Sequence, residues 1–162
     1  MLFILKRIIF VLQYIKLNIK VVTEKLDLKN LHFPQYFPKN CPPKDAEEKE
    51  MTVYRFCRNK HIVEDDFKSY YQKDPNKYCG NILAYGISVF SDLESCYAAK
   101  RKMPFFKKQK GCAYGITFKH TGKIKATPSK MLPKHHTWWL YEGVQPHTYF
   151  QEIEIKVGDD NA

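Results

Sequence analysis

The stretch LAYGISVFSDLESCYAAKRKM, Leu83 to Met103, holds a strand and a helix in immediate succession. Leu83 to Phe90 is apolar and rich in strand formers, which predicts a buried strand. Ser91-Asp92-Leu93-Glu94 is an S-x-x-E capping box: the serine oxygen accepts an N–H of the first helical turn and the glutamate reaches back to the serine N–H. The helix that opens there must stop near Met103, because Pro104 disfavours helical backbone at the residue before it.

Outward from this unit the pattern repeats in shorter pieces. Thr52 to Arg58 reads as a strand, and Glu64 to Gln72 as a helix whose first turn carries Glu64, Asp65 and Asp66 at the positive end of the dipole. Asp74-Pro75-Asn76 closes it. Gly111 to Phe118 reads as a strand, His120 to Lys123 as a turn, and Lys123 to Ala126 as the strand paired across that turn. Between Tyr149 and Val157, Ile153, Ile155 and Val157 alternate with Glu152, Glu154 and Lys156, the pattern of a half-buried strand. The order of elements predicts an α+β fold: a small, mainly antiparallel sheet with one or two helices, preceded by a hydrophobic N-terminal helix.

Composition sets the frame for these elements. The chain has 162 residues, is 44% hydrophobic and 15% aromatic, and contains only 7 Gly and 9 Pro, which excludes a disordered or collagen-like chain and leaves room for one ordinary domain. Residues 1–30 form a basic hydrophobic segment. Lys6, Arg7, Lys16 and Lys20 interrupt it, so it makes a poor membrane span, and residues 1–24 instead resemble a basic amphipathic helix suited to a membrane surface or to docking on protein. Residues 31–50, with Pro34, Pro38, Pro42 and Pro43 and a charged run from Asp45 to Glu50, read as a Pro-rich spacer. The globular domain is expected over residues 51–157, with a tail at 158–162.

Cys41, Cys57, Cys79, Cys96 and Cys112 are odd in number and never form a C-x-x-C pair, so neither a disulfide scaffold nor a zinc knuckle is expected, and free thiols favour the cytoplasm. No metal site is expected. There is no G-x-G-x-x-G loop and no Walker A loop, which excludes a dinucleotide fold of that type and a P-loop NTPase.

Charge is segregated along the chain. Between Glu94 and Glu142 there is no Asp or Glu but there are eleven basic residues, against a net charge of +10 for the whole chain. Within residues 95–141, Lys100, Arg101, Lys102, Lys107, Lys108, Lys110, Lys123, Lys125 and Lys134 are the candidates for binding a polyanion. Nucleic acid is the expected partner, RNA or a single strand in particular, with Trp138 and Trp139 as candidate aromatic contacts for unpaired bases. The same two indoles would serve a protein-interaction module instead, and lysines on a solvated face need no partner.

Two enzymatic alternatives compete with pure binding. His135 and His136, with Lys134 beside them and His120 and His147 elsewhere, contain the groups needed to cleave RNA without metal. If 134–139 is a strand, however, the two adjacent histidines face opposite ways. His135-x-Thr137 also resembles one half of the paired H-x-T/S motif of two-histidine phosphoesterases; His120 and His147 are each followed directly by Thr and do not supply the other half.

The second alternative rests on Arg55, Ser88 and the Glu152-Ile153-Glu154 run, an order that resembles the R…S…E layout of ADP-ribosyltransferases. The resemblance implies that Arg55 and Ser88 hold NAD and that Glu154 stabilises the oxocarbenium-like transition state. The family's Ser-Thr-Ser reads Ile-Ser-Val in this chain. Outside that alternative no cofactor is expected.

Overall fold

A computed structural model describes residues 30–153. Six strands form one antiparallel sheet: β1 (Met51–Cys57), β2 (Ile87–Phe90), β3 (Gly111–Thr117), β4 (Gly122–Ala126), β5 (His135–Leu140) and β6 (Gln151–Ile153), in the order β4-β5-β2-β1-β3-β6. Five helices accompany them: α1 (Tyr70–Lys73), α2 (Pro75–Tyr78), α3 (Ile82–Tyr85), α4 (Leu93–Lys102) and α5 (Pro104–Lys107). The fold is therefore α+β with an antiparallel sheet, and α4 is the one helix longer than a single turn among the described residues. The hydrophobic N-terminal helix expected before it lies outside the described residues.

The two faces of the sheet carry different cores. Alternation along the strands puts Val53, Ile87, Val89, Ala113 and Trp138 on one face, where Phe67, Tyr149 and Phe150 cover them. Phe56, Phe90 and Cys112 point to the other face and meet Cys96 and Ala99 of α4 and Phe106 of α5.

Several local expectations are corrected by this arrangement. Residues 64–72 do not form one helix: a 3-10 turn covers Glu64–Phe67, the chain extends at Lys68, and α1 starts afresh behind Ser69. The reason is that Arg55 takes the carbonyls of Asp66 and Lys68, which a continuous helix would need for its own ladder. Ser69 and Gln72 then cap α1 reciprocally. Asp74 closes α1 as expected, its N–H donating to the Tyr70 carbonyl, and also opens α2, its carboxylate accepting from the Lys77 N–H.

The strand expected over Leu83–Phe90 begins only at Ile87, because Ile82–Tyr85 is a helical turn whose Ile82 carbonyl accepts from Trp139 Nε1 at 3.1 Å. Gly86 separates the two, and a Cβ there would lie 2.4 Å from the Thr137 methyl. The N-cap of α4 is Asp92, whose carboxylate accepts from Ser95 N at 2.7 Å; Ser91 is held at the strand end by its own N–H to the Lys134 carbonyl. The helix ends at Lys102 with Met103 as its C-cap, as Pro104 requires.

β4 does not pair with β3 across the 120–123 turn. It crosses to the far end of the sheet and pairs with β5, from Gly122 opposite Leu140 to Ala126 opposite His136. Thr121 redirects the chain by bonding both the N–H and the carbonyl of Phe118, and Gly122 follows at φ +134°, where a Cβ would lie 2.0 Å from the Trp139 carbonyl oxygen.

Residues 31–50 are laid against the sheet rather than standing apart from it. Cys41 and Ala46 are buried with Tyr85 and Trp139, and Phe33 and Phe37 pack beside them. Glu47 exchanges both backbone hydrogen bonds with Ile124, which covers the open edge of β4. The prolines interrupt regular structure, as expected, but the aromatics between them supply the contacts that hold the segment down.

Candidate functional site

The ladder between β1 and β2 consists of one residue pair, Tyr54 opposite Phe90, whereas β1 pairs with β3 over its whole length. Beyond that rung the two strands part, and a cleft enclosing about 160 Å³ opens between them. Arg55 lies at its base and is 9% exposed. Its Nη1 donates to the Ser88 carbonyl oxygen and its Nε to the Asp66 carbonyl oxygen, both at 2.5 Å, while the guanidinium carbon sits 5.7 Å from the centre of the Phe67 ring. Three of its five N–H groups thus meet backbone carbonyls.

Arg58, Lys68 and Lys73 bring further positive charge to the walls. Two carboxylates accompany them, and both are engaged. Asp65 pairs with Lys68 at 3.0 Å, and Asp66 is buried, accepting from the backbone N–H groups of Arg58 and Val63. Burial, together with the Arg55 charge, pushes the Lys73 ammonium below its ordinary value. Cations held close together and partly dehydrated are electrostatically costly alone and relieved by an anion, so the cleft favours phosphate or carboxylate groups. Tyr70, Phe105 and Phe106 supply aromatic walls, and burial raises the Tyr70 phenol, an effect opposed by Arg55 and the Ser88 hydroxyl.

The structure therefore brings Arg55 and Ser88 together. It does not bring Glu152 to them. Glu152 stands on β6 opposite Ala113, which itself stands opposite Arg55, so it is two strands away from the cleft's arginine. Its carboxylate accepts from Ile62 N at 2.9 Å and lies 3.4 Å from His61 Nδ1. Glu154 lies outside the described residues.

The histidines do not assemble. His135 and His136 are neighbours on β5, opposite Phe90 and Val89 respectively, and so face opposite sides of the sheet. His135 Nδ1 donates to the Thr127 carbonyl at 3.1 Å and burial holds its pKa below the ordinary 6.5, which keeps the ring neutral. His136 Nδ1 donates to the Lys134 carbonyl at 3.1 Å. Neither lines the Arg55 cleft.

The basic run is contiguous in sequence but divided in space. Lys123 and Lys125 sit on β4, with β5 and β2 between them and β1, and Lys125 pairs with Asp45 at 2.7 Å. Arg101 pairs with Glu94 across α4, and Lys100 Nζ donates to the Gln109 carbonyl at 2.8 Å. Lys134 lies at the opposite end of α4, beside Ser91. Lys102, Lys107, Lys108 and Lys110 are exposed and border the cleft, because Phe105, Phe106 and Gln109 among them form its wall.

Trp138 and Trp139 are fully buried and offer no ring to a base. Sequence reasoning missed Arg58, Lys68, Tyr70, Lys73 and Phe105 as wall residues. Of these only Phe105, an aromatic within the acid-free basic stretch 95–141, carried a signal in the sequence.

Among the described residues no cluster of side chains suited to a metal ion occurs, and no helix is long and apolar enough to cross a membrane. All five cysteines are free thiols. No family model, curated protein or solved structure matches the chain.

Proposed function

We propose that the cleft between β1 and β2 binds NAD, in the manner implied by the resemblance to ADP-ribosyltransferases. The observation that carries this reading is the contact of Arg55 with the Ser88 carbonyl where β1 and β2 part, under walls of Arg58, Lys73 and aromatic rings. A dinucleotide matches each of these features. Its diphosphate suits the Arg58 and Lys73 cations, and its bases suit Tyr70 and Phe105. Transfer of ADP-ribose further requires a carboxylate facing the developing oxocarbenium, the role assigned to Glu154.

The test is calorimetric titration of the full chain with NAD, followed by assay of nicotinamide release. Saturable binding weakened about tenfold or more by Lys73→Ala supports the site, each lost charge-assisted contact being worth roughly 1.5–3 kcal/mol. Nicotinamide release abolished by Glu154→Gln with binding intact supports transfer. No binding at millimolar NAD overturns the proposal, and binding without release reduces it to a binding cleft.

A further inference from the structure

At the mouth of the cleft three rings form an unbroken stripe across elements far apart in sequence. Phe105 of α5 lies 6.4 Å from Tyr70 of α1, and Tyr70 lies 5.5 Å from Tyr78 of α2, centre to centre. Phe105 is 51% exposed and Tyr70 37%, whereas most other large rings of the described residues are packed in the core. Solvated aromatic surface of this size costs free energy unless something covers it.

Cations accompany the stripe. Lys77 Nζ stands 5.1 Å from the centre of the Tyr78 ring, and Lys102, Lys107 and Lys108, close to Phe105 in the chain, are exposed. The acid groups nearest in sequence are already used: Asp74 caps α2 and Asp65 pairs with Lys68. Neighbouring rings, two of them exposed and the third half-buried, close to exposed lysines are a combination suited to a single strand, with bases stacked on the rings and phosphates on the ammonium groups. Duplex DNA keeps its bases paired and has no use for the rings, and an acidic peptide would use the lysines without them.

We infer that the Phe105–Tyr70–Tyr78 stripe and its lysine borders bind single-stranded nucleic acid. The stripe shares Tyr70 and Phe105 with the cleft wall, but Tyr78, Lys77, Lys107 and Lys108 lie outside the cleft lining, so the inference has observations of its own. The C-terminal dipole of α4 accounts for some of the basic residues in its last turn, but not for Lys107 and Lys108, nor for rings left in solvent.

The experiment is fluorescence anisotropy of the full chain with labelled oligouridylate, the matching duplex and polyglutamate, across a salt series. Micromolar or tighter binding of the single strand at low salt is expected, with log K falling by about 0.7 per phosphate contact for each unit of log salt. The double variant Lys107→Glu/Lys108→Glu should flatten that slope by more than 1, and Phe105→Ala should weaken binding roughly 5- to 100-fold, the loss of one stacked base. Neither Lys107 nor Lys108 lines the cleft, so NAD binding should fall far less in the double variant than in Lys73→Ala, which separates failure here from failure there. Equal affinity for polyglutamate, preference for duplex, or indifference to Phe105→Ala overturns the inference.

Discussion

The Arg55 guanidinium donates to the Ser88 carbonyl oxygen at 2.5 Å across the gap where β1 and β2 no longer pair. A side chain thereby stands in for a rung of the sheet. The same group holds the carbonyls of Asp66 and Lys68, so one residue fixes the split in the sheet and the turn that walls it. Arg55→Met keeps much of the aliphatic stem but orphans these carbonyls. It should lower unfolding stability by about 2–4 kcal/mol, read as a shift of the urea midpoint. Arg55→Lys, with one ammonium for three divergent carbonyls, should recover only part of the loss.

Thiol reactivity offers an independent check of the packing. Cys79 is exposed, whereas Cys41, Cys57, Cys96 and Cys112 are buried. Burial pushes the Cys41 and Cys57 thiols up to about 12, which further removes their nucleophilic thiolate at neutral pH. Native protein should therefore release one fast equivalent with a chromogenic disulfide reagent, Cys79→Ser should release none quickly, and denatured protein should release five.

His135 gives the fold a pH dependence with a definite sign. Burial lowers its folded pKa below the ordinary 6.5, so at mildly acid pH the unfolded chain binds a proton that the folded chain refuses. The associated stability is complete above about pH 6.5 and is lost as pH falls through and below that value. Denaturant midpoints measured from pH 7.5 down to 5 should decline in the parent chain and decline less in His135→Gln. The opposite slope would mean that the imidazole is charged in the fold.

What the sequence made legible follows from locality. Pro104 ends α4 by its own ring, and the strands at 51–57 and 111–117 match, to within a residue, the runs expected at 52–58 and 111–118, whereas the sequence leaves the strand at 135–140 open. The resemblance named Arg55 and Ser88 together, but not their contact, which runs through the Ser88 backbone carbonyl. The pairing of β4 with β5 could not be read from the sequence, because a short strand after a tight turn looks like a hairpin until the competing edge is known. Nor could the partition of the basic run, since Lys107 and Lys125 differ in no intrinsic property; one is exposed beside the cleft and the other faces Asp45. Trp138 and Trp139 looked available because they stand next to Lys134, His135 and His136, yet opposite faces of β5 bury one under Phe150 and the other under Tyr85 and Cys41.

The burial of Trp139 bears on residues 31–50, whose prolines suggest a dispensable spacer. Cys41, Ala46, Phe33 and Phe37 share a cluster with Trp139, Glu47 supplies both backbone hydrogen bonds at Ile124, and Glu48 accepts from the Tyr141 hydroxyl at 2.6 Å. Removing the segment uncovers an indole, reopens the β4 edge and leaves Lys125 without Asp45. Each buried apolar side chain lost contributes roughly 1.5–3 kcal/mol, so a fragment of residues 51–162 should be several kcal/mol less stable than the full chain. Its tryptophan emission should shift to the red, and its uncovered strand edge should favour self-association in sedimentation experiments. An unchanged urea midpoint and emission maximum would show instead that the domain is complete without the segment, and that the Phe33–Phe37–Trp139 cluster contributes little to the fold.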